Sequence, residues 1–337
     1  MRQYSEAVDD GWARELEELP RLETQVTAEM ARSVISRNQS PDVPVEQSIN
    51  PYRGCEHGCV YCFARPSHSY LDLSPGLDFE TRLFYKANAV ERLEAELRKP
   101  GYVCKPIALG INTDAYQPIE RKIGLTRRLL ELLYEYRHPV SLLTKGVTIL
   151  RDLDILQDMA RENLVSVAVS ITTMNHDLKR RLEPRTASPV ARLNILTALR
   201  DISIDPGVMV APIIPAINDA ELEKILERSA GAGATRAGYV MLRLPHELKD
   251  LFGSWLKTHY PERASHVASL IRQLHGGRDY DSSFGTRQTG SGTLAELIAQ
   301  RFDLASRRHG LKHGSDTPLN TSLFKIPTQI GDQFQLL

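Results

Sequence analysis

Three of the four cysteines in this 337-residue chain lie within eight residues, in the stretch Cys55-Glu-His-Gly-Cys59-Val-Tyr-Cys62. The spacing C-x3-C-x2-C puts three thiols on one short loop, so they can converge on one small inorganic centre. Three thiolates suit a four-iron, four-sulfur cluster, because its irons are normally held by cysteine. Three protein ligands leave one iron free, and an open position distinguishes a catalytic metal centre from a closed structural one. The loop therefore predicts a [4Fe-4S] cluster on Cys55, Cys59 and Cys62.

The same loop also fits a zinc site with Cys104, His57 or His68 as the fourth ligand. Structural zinc sites usually combine two paired half-sites, and the chain has no second C-x2-C pair. The spacing therefore favours the cluster and leaves zinc as the alternative.

Beyond the cysteine loop, short buried runs alternate with amphipathic segments of helical period. Strands are predicted at 48–53, 107–111, 140–144, 164–171, 208–214 and 237–244, and helices at 87–98, 123–136, 148–161, 190–199 and 218–231. Strands that alternate with helices imply βα units and a parallel sheet. Six such units are too few for a complete eight-stranded barrel.

The segments on either side of this α/β region differ from it in pattern. Residues 1–45 are charged and weakly periodic, and we expect an N-terminal arm, docked or peripheral, with a helix between residues 12 and 37 that Pro20 interrupts. Residues 46–245 form the α/β unit, and 246–337 form a helical extension. Within that extension, the glycine-rich loop 276–292 is expected to be flexible and either to cover the barrel as a lid or to be disordered.

Composition limits the compartment and the partners. The N-terminal residues lack the apolar segment of a signal peptide, and no run of about 18 apolar residues predicts a membrane span. Few cysteines, most of them candidate ligands, favour a reducing compartment, so a cytoplasmic location is expected. Lys+Arg and Asp+Glu both total 42, which argues against bulk attraction to nucleic acid but leaves a local basic groove open.

The three cysteines, with Tyr61 just before the last of them, resemble the signature of the radical S-adenosylmethionine (SAM) enzymes. The resemblance implies a partial (β/α)6 barrel in the α/β fold class, with a [4Fe-4S] cluster and SAM as cofactors. It implies that the open iron chelates the amino and carboxylate groups of SAM. The reduced cluster then cleaves SAM to a 5′-deoxyadenosyl radical, which abstracts hydrogen from the substrate. Tyr61 is expected near the adenine, and a low-potential donor such as flavodoxin or ferredoxin is the expected partner.

The run Asn-Thr-Asp-Ala-Tyr-Gln-Pro-Ile-Glu at 112–120, together with Thr144-Lys145, resembles the spore photoproduct lyase-related branch of that superfamily. In this branch Glu120 is expected near the methionine amino group, with Asp114 as the alternative. Spore photoproduct lyases carry a hydrogen-donating cysteine on the second strand, where this chain has Leu109-Gly-Ile111 and no cysteine. Cys104 precedes that strand and is interpreted as an ordinary buried thiol. Repair of the spore lesion is therefore not implied.

The remaining candidate site residues follow from the rule that ligand-binding loops lie at the C-terminal ends of the strands in parallel α/β barrels. The predicted SAM contacts are Tyr61, Asn112, Asp114, Glu120, Thr144, Lys145, Ser170, Thr172, Arg185 and Asn218. Lys145 or Arg185 is expected to meet the SAM carboxylate. Ser170, Thr172 and Asn218 are expected near the ribose and methionine groups. The sixth strand carries Arg243, whose role stays open.

The sequence therefore predicts a radical SAM enzyme that acts on an unidentified substrate. Nucleic acid and a peptide or small molecule both stay open as substrates. The competing class is a non-catalytic iron–sulfur or zinc protein that transfers electrons or binds a partner. That class predicts no SAM binding and leaves the polar strand ends without a function.

Overall fold

The structure is a computed structural model that describes residues 23–43, 45–314 and 318–328. Its strands are β1 (Gln25–Glu29), β2 (Ile35–Arg37), β3 (Gln47–Ile49), β4 (Tyr52–Arg53), β5 (Arg82–Lys86), β6 (Ile107–Leu109), β7 (Val140–Thr144), β8 (Val165–Ser170), β9 (Gly207–Ile213), β10 (Arg236–Met241) and β11 (Lys312–His313). Its helices are α1 (Asp78–Thr81), α2 (Ala89–Leu97), α3 (Glu120–Ile123), α4 (Leu125–Glu135), α5 (Leu153–Arg161), α6 (His176–Leu182), α7 (Pro189–Asp201), α8 (Leu222–Gly231), α9 (Leu248–His259), α10 (Ala264–Leu274) and α11 (Thr293–Arg308). Short 3-10 helices occur at Arg65–Leu71, Val147–Asp152 and Asp219–Glu221.

The main sheet has the strand order β11-β10-β9-β8-β7-β6-β3-β2. The six strands from β3 to β10 in this order are parallel neighbours, and β2 joins one edge antiparallel to β3. Each step from one strand to the next carries a helix, namely α2, α4, α5, α7 and α8 in turn. Strands rich in valine, isoleucine and leucine suit this sheet because both of its faces are covered. The predicted partial (β/α)6 barrel is confirmed.

The first predicted strand, 48–53, is divided into β3 and β4. Asn50 and Pro51 lie between them. Proline has no backbone N–H to give to a sheet ladder, so the chain leaves the main sheet there. β4 then pairs antiparallel with β5 in a second, three-stranded sheet.

The helix expected between residues 12 and 37 is not present over its described part, and residues 12–22 lie outside the described residues. β1 pairs in parallel with β5, and β2 pairs with β3. The prediction is wrong here because both partner strands come later in the chain, and local periodicity cannot report their hydrogen bonds. The arm therefore contributes strands to both sheets.

The helical extension and residues 318–328 cover two different sides of the barrel. α9 and α10 are separate helices with Pro261 between them, and α11 packs against α8. At the N-terminal ends of β6 and β7, the Phe324 ring packs against Tyr102, Tyr136 and His138, with ring centres 5.5, 6.5 and 5.5 Å away. Within the described segments, no helix is both long and apolar enough to cross a lipid bilayer.

Candidate active site

Two glycines with left-handed backbone shape the cysteine loop. Gly54 has φ +78°, and a Cβ there would lie 2.6 Å from Leu83 Cδ2 and 2.7 Å from the Phe79 carbonyl oxygen. Gly58 has φ +65°, and a Cβ there would overlap the side chains of Arg185 and Glu80. Only glycine tolerates such backbone angles without steric cost. The path of the loop therefore depends on glycine at both positions.

Arg65 follows the cysteine loop in the sequence, and its buried side chain fixes the path of that loop. Its Nε donates to the Cys59 carbonyl at 2.8 Å and its Nη2 to the Gly58 carbonyl at 3.0 Å. Its guanidinium also pairs with Glu80, with Nη2 3.3 Å from Oε1. Arginine is always charged and presents its donors in a rigid fork, so one side chain fixes several groups at once.

The three cysteine side chains line one cavity of about 210 Å³ at the C-terminal ends of the barrel strands. A single water needs only about 10–15 Å³ of such space, so the cavity can hold a ligand of many atoms. Nine of the predicted site residues line it, namely Cys55, Cys59, Tyr61, Cys62, Asn112, Asp114, Thr144, Lys145 and Ser170. The structure therefore brings together residues from the cysteine loop and from the ends of β6, β7 and β8.

The three thiols have the chemistry that a cationic cluster requires. Burial raises the pKa of Cys55 well above its usual range, and Asp114 and the other two thiols raise it further. Burial and Glu183 raise the pKa of Cys59 to about 12, against the opposing effect of Lys145. A bound metal deprotonates a coordinating thiol outright. Cys55 and Cys59 are buried, so their thiolate forms are costly unless a cation such as the cluster binds them.

The arrangement of the ligands separates a cluster from a single ion. In the described ranges, no three His, Cys, Asp or Glu side chains are placed to hold one metal ion. A four-iron cluster distributes its thiolates over separate iron atoms, so its cysteines need not surround one point. His68 binds the Arg82 carbonyl through Nε2 at 3.0 Å, and Cys104 lies outside the cavity lining. Two of the three candidate fourth ligands for zinc thus lie elsewhere, whereas His57 lines the cavity together with the cysteines.

Asp114 joins the ends of two neighbouring strands beside the cysteine loop. Its Oδ1 accepts from the Thr144 hydroxyl at 2.7 Å and from the Tyr116 N–H at 2.9 Å, and its Oδ2 accepts from the Lys145 N–H at 2.7 Å. Thr144 Oγ1 in turn accepts from the Gly146 N–H at 2.9 Å. The Asp114 carboxylate thus fixes the backbone on which Lys145 stands.

The Lys145 ammonium is a cation of the cavity wall on the side of the cysteines. Its Nζ lies 5.9 Å from the centre of the Tyr61 ring, and its charge acts on Cys59 and Glu183. No oxygen atom in the described parts of the chain accepts a hydrogen bond from Nζ. The ammonium is therefore available to an anionic ligand.

Behind Tyr61 lies a buried ion pair that the sequence reasoning did not identify. The Arg192 guanidinium pairs with the Glu183 carboxylate, and both side chains have at most 1% of their surface exposed. Glu183 also accepts from the Tyr61 hydroxyl and lies 2.7 Å from Thr172 Oγ1. Burial opposes ionisation of Glu183, but Arg192 and Lys145 outweigh it and lower its pKa to about 2. The charged pair holds the Tyr61 ring in one orientation.

Thr172 and Asn218 do not line the cavity, and other protein groups bind their side chains. The Thr172 hydroxyl is fully buried between Glu183 and the Ala211 carbonyl, 2.8 Å away. Asn218 donates through Nδ2 to the carbonyls of Thr172 at 2.7 Å and Pro212 at 2.9 Å, and its Oδ1 accepts from the Ile214 N–H at 2.6 Å. Asn218 therefore joins the ends of β8 and β9, and its side chain does not cap the next helix.

Glu120, the residue expected near the SAM amino group, also lies outside the cavity lining. Its carboxylate is fully buried. Oε1 accepts from Arg151 Nη2 at 2.7 Å, and Oε2 accepts from the Thr126 N–H at 3.0 Å and from the Tyr52 hydroxyl. These partners occupy the carboxylate, which leaves Asp114 as the acidic residue of the cavity wall.

Arg185 is the fourth predicted site residue that does not line the cavity. Its guanidinium pairs with the Glu80 carboxylate and donates to the Glu56 carbonyl next to the cysteine loop. A cation with these partners supports the loop and is not free to meet SAM. Of the two cations expected at the SAM carboxylate, Lys145 lines the cavity and Arg185 does not.

Several residues of the cavity wall were not among the predicted SAM contacts, and most are apolar. Phe63, Phe79, Leu143, Met209, Pro212 and Val240 join the cavity wall, together with His57 and Arg243, whose roles the sequence left open. Leu143 and Met209 lie on barrel strands. Side chains alternate between the two faces of a strand, so this alternation could have predicted that both line the cavity. Burial lowers the pKa of His57 to about 4, although the Asp114 carboxylate opposes this. The imidazole is therefore neutral near pH 7.

Comparison with known proteins identifies relatives by sequence and by fold. The family model described as the radical SAM superfamily matches residues 49–228. An uncharacterised protein of Mycobacterium tuberculosis is 40% identical over 233 residues, which is 68% of both chains. One from Methanocaldococcus jannaschii is 30% identical over 214 residues, covering 64% of this chain and 76% of that protein.

Among solved structures, the fold is similar to that of spore photoproduct lyase. One such structure, with bound AdoMet and dinucleoside spore photoproduct, matches with a TM-score of 0.59 at 14% identity and covers 86% of this chain and 81% of the lyase. At this identity the likeness concerns the fold alone. The family match spans more than half of the chain and includes the cysteine loop. The chain belongs to the radical SAM superfamily, whose members use an iron–sulfur cluster and SAM.

Proposed function

We propose that Cys55, Cys59 and Cys62 hold a [4Fe-4S] cluster and that the enzyme cleaves SAM reductively. When bound, the reduced cluster supplies the electron that splits SAM into methionine and a 5′-deoxyadenosyl radical, which abstracts hydrogen from the substrate. The observation that carries the proposal is one cavity lined by all three thiols, Lys145 and the polar ends of the parallel strands. A flavodoxin or ferredoxin is the proposed electron donor.

The other residues of the cavity have roles that follow from their chemistry. Lys145 binds the SAM carboxylate, because its ammonium faces the cavity without a hydrogen-bond acceptor among the described residues. Tyr61, whose hydroxyl is held by Glu183, packs its ring near the adenine. Asn112 and Ser170 face the ribose. The apolar wall excludes water, which strengthens every electrostatic contact inside the cavity.

We further propose that the substrate is a nucleic acid. A solved spore photoproduct lyase that holds a dinucleoside supports this proposal. Leu109, Gly110 and Ile111 stand where those lyases carry their hydrogen-donating cysteine. Repair of the spore lesion itself is therefore not proposed.

The test of the proposed function compares two single cysteine variants, C59A and C104A. Each protein is reconstituted anaerobically with iron and sulfide, and 5′-deoxyadenosine is measured after addition of SAM and dithionite. Wild type and C104A are expected to form it, whereas C59A is expected to form none. A wild-type cluster that never cleaves SAM, even with a protein reductant, would support the electron-transfer alternative.

The role of Lys145 is tested by the SAM affinity of the reconstituted protein. Loss of a hydrogen bond to a charged group weakens binding by about tenfold or more, so K145Q is expected to lose about that much. The control K257Q removes an exposed lysine on α9 and should bind SAM as wild type does. Equal SAM affinity in K145Q and wild type would remove Lys145 from the carboxylate site.

A further inference from the structure

The cavity contains a second cation, Arg243, that the proposed SAM chemistry does not use. Arg243 lines the cavity two residues beyond β10 and is half-buried. Its burial lowers the pKa of the guanidinium. Across the described ranges, it has neither an ion-pair partner nor a hydrogen-bond acceptor. A desolvated guanidinium without an acceptor is costly unless a ligand supplies one.

The carboxylate that could neutralise Arg243 is already occupied. Asp42 is the acidic group whose charge acts on Arg243. Its Oδ1 accepts from the Gly285 N–H at 2.7 Å, and its Oδ2 pairs with Arg287. Among the described residues, Arg243 thus lines the cavity without an acceptor for its donors, although a carboxylate lies within electrostatic range.

The two cations of the cavity stand in different surroundings. The charge of Lys145 acts on His57, Cys59 and Glu183 beside the cysteine loop. Arg243 interacts instead with Tyr280, Arg287 and Asp42, which belong to the segments at the rim. SAM carries a single carboxylate and no phosphate, and Lys145 is the cation on the side of the cluster. Arg243 is therefore left for an anion that SAM does not supply.

The Arg243 guanidinium lies over the ring of Phe63. The guanidinium carbon is 4.9 Å from the centre of that ring, and 41% of the Phe63 surface is exposed. A guanidinium packed on a ring face keeps its N–H donors for other partners, and those donors match the two oxygens of a carboxylate or phosphate. Phe63 follows Cys62 directly, so the stacked pair stands next to the cluster ligands.

We propose that Arg243, stacked on Phe63, binds a phosphate or carboxylate of the substrate at the rim of the cavity. The proposal rests on the proposed function, because it assumes that SAM occupies the side of the cavity next to the cysteines. The anion would fix one end of the substrate at the rim while its reacting carbon points toward the cysteine loop. Arg243 is then a determinant of which substrates the enzyme accepts.

The test is a calorimetric titration of the reconstituted protein, with and without SAM, using three probes of similar shape. Phenyl phosphate and benzoate carry the two oxyanions, and benzyl alcohol is neutral. The variants are R243M, R243K, F63L and the control R128M, which removes an exposed arginine on α4. Wild type and R128M are expected to bind an anionic probe, R243M to bind it about tenfold more weakly, and R243K and F63L to fall between them.

Each outcome of the titration has a defined meaning. A preference for phenyl phosphate assigns the rim to phosphorylated substrates, and a preference for benzoate assigns it to carboxylates. The proposal is overturned if no anionic probe binds better than benzyl alcohol, or if R243M binds like wild type. It is also overturned if R243M loses SAM affinity, since Arg243 would then serve SAM. SAM cleavage is not part of the titration, so its absence would refute the proposed function without deciding this result.

Discussion

At the scale of the residue, the site depends on polar groups whose hydrogen bonds are made to other groups of the protein. Asp114 uses both carboxylate oxygens, one to accept from the Thr144 hydroxyl and one from the Lys145 N–H. Arg65 fixes the carbonyls of Gly58 and Cys59. Groups satisfied in this way position the cavity wall, in which Lys145 and Arg243 are the cations without an acceptor among the described residues.

Glycine at position 58 is expected to be required for the cluster. In G58A the new methyl would overlap Arg185 and Glu80, whereas in the control G101A it would meet no atom within 4 Å at a similar φ of +79°. The left-handed backbone alone costs about 1–2 kcal/mol, so G101A isolates that part. We expect G58A to lose more stability than G101A and to incorporate little iron, measured by denaturant unfolding and by iron content. Equal losses in the two variants would contradict the packing argument.

His138 is expected to make the fold sensitive to acid. Burial lowers the pKa of His138 from 6.5 to about 4, against the opposing hydrogen bond to the Pro139 carbonyl. The unfolded chain then binds this proton more readily than the folded chain. Stability is therefore fully present above pH 6.5 and is lost as the pH falls toward 4, by up to about 3 kcal/mol for this group.

The measurement for His138 is the unfolding free energy between pH 7 and pH 4. The variant H138Q is expected to show a shallower decline than wild type, because the titrating group is gone. H266Q removes an exposed histidine on α10 and should follow the wild-type curve. A curve for H138Q that declines as steeply as wild type would assign the acid sensitivity to other groups.

At the scale of the element, one buried guanidinium connects a strand with two helices. Arg192 on α7 donates to the Ser170 carbonyl at the end of β8 at 2.9 Å and to the Ala187 carbonyl at 3.0 Å. It also pairs with Glu183, directly after α6. A single charged side chain thus holds together the end of β8, the end of α6 and the residues just before α7.

Removal of Arg192 is expected to destabilise the protein far more than removal of a surface arginine. R192M leaves the Glu183 carboxylate buried without its partner, which costs about 3–5 kcal/mol. The control R301M breaks the more exposed pair of Arg301 with Glu223, and exposed pairs contribute about 0–1 kcal/mol. Denaturant unfolding compares the two, and R192M should also weaken SAM binding because the Glu183 carboxylate that accepts from the Tyr61 hydroxyl is no longer held by Arg192. Similar losses in both variants would mean that Glu183 finds another partner.

The barrel could be predicted from the sequence because its strands are short apolar runs flanked by polar ends. β7 coincides with the predicted strand 140–144, and the cysteine loop has a spacing that few other sites share. Glu183 and Arg192 could not be predicted to be buried, since charged residues are rarely fully buried. Glu120 begins α3 after β6, and its pairing with Arg151, 31 positions away, has no local signal in the sequence.

At the scale of the whole molecule, contacts between two segments distant in sequence connect the two edges of the open barrel. The connection between β2 and β3 carries Asp42, which binds the Gly285 N–H and Arg287. Gln288, in the same loop, accepts from the Met241 N–H at the end of β10 at 2.7 Å. The loop 276–292 thus contacts both the β2–β3 connection and the end of β10.

Loss of the Asp42 carboxylate is expected to loosen this loop without unfolding the barrel. D42A removes the acceptor of Gly285 and Arg287, so amide hydrogen exchange should speed up in residues 276–292. The control D279A removes a carboxylate of the same loop whose nearest cation, Arg272, is 3.8 Å away. Exchange in D42A that matches D279A would show that other contacts hold the loop.

The packing of Phe324 across the N-terminal ends of the strands has a consequence for how the chain folds. Arg98 donates to the Pro327 carbonyl at 2.8 Å, a contact between residues 229 positions apart. Contacts of such separation form late, because loop-closure entropy opposes them until the rest of the structure is in place. During synthesis on the ribosome, the rings of Tyr102, Tyr136 and His138 therefore stay uncovered until residues 318–328 have emerged, and chaperones have that interval in which to bind them.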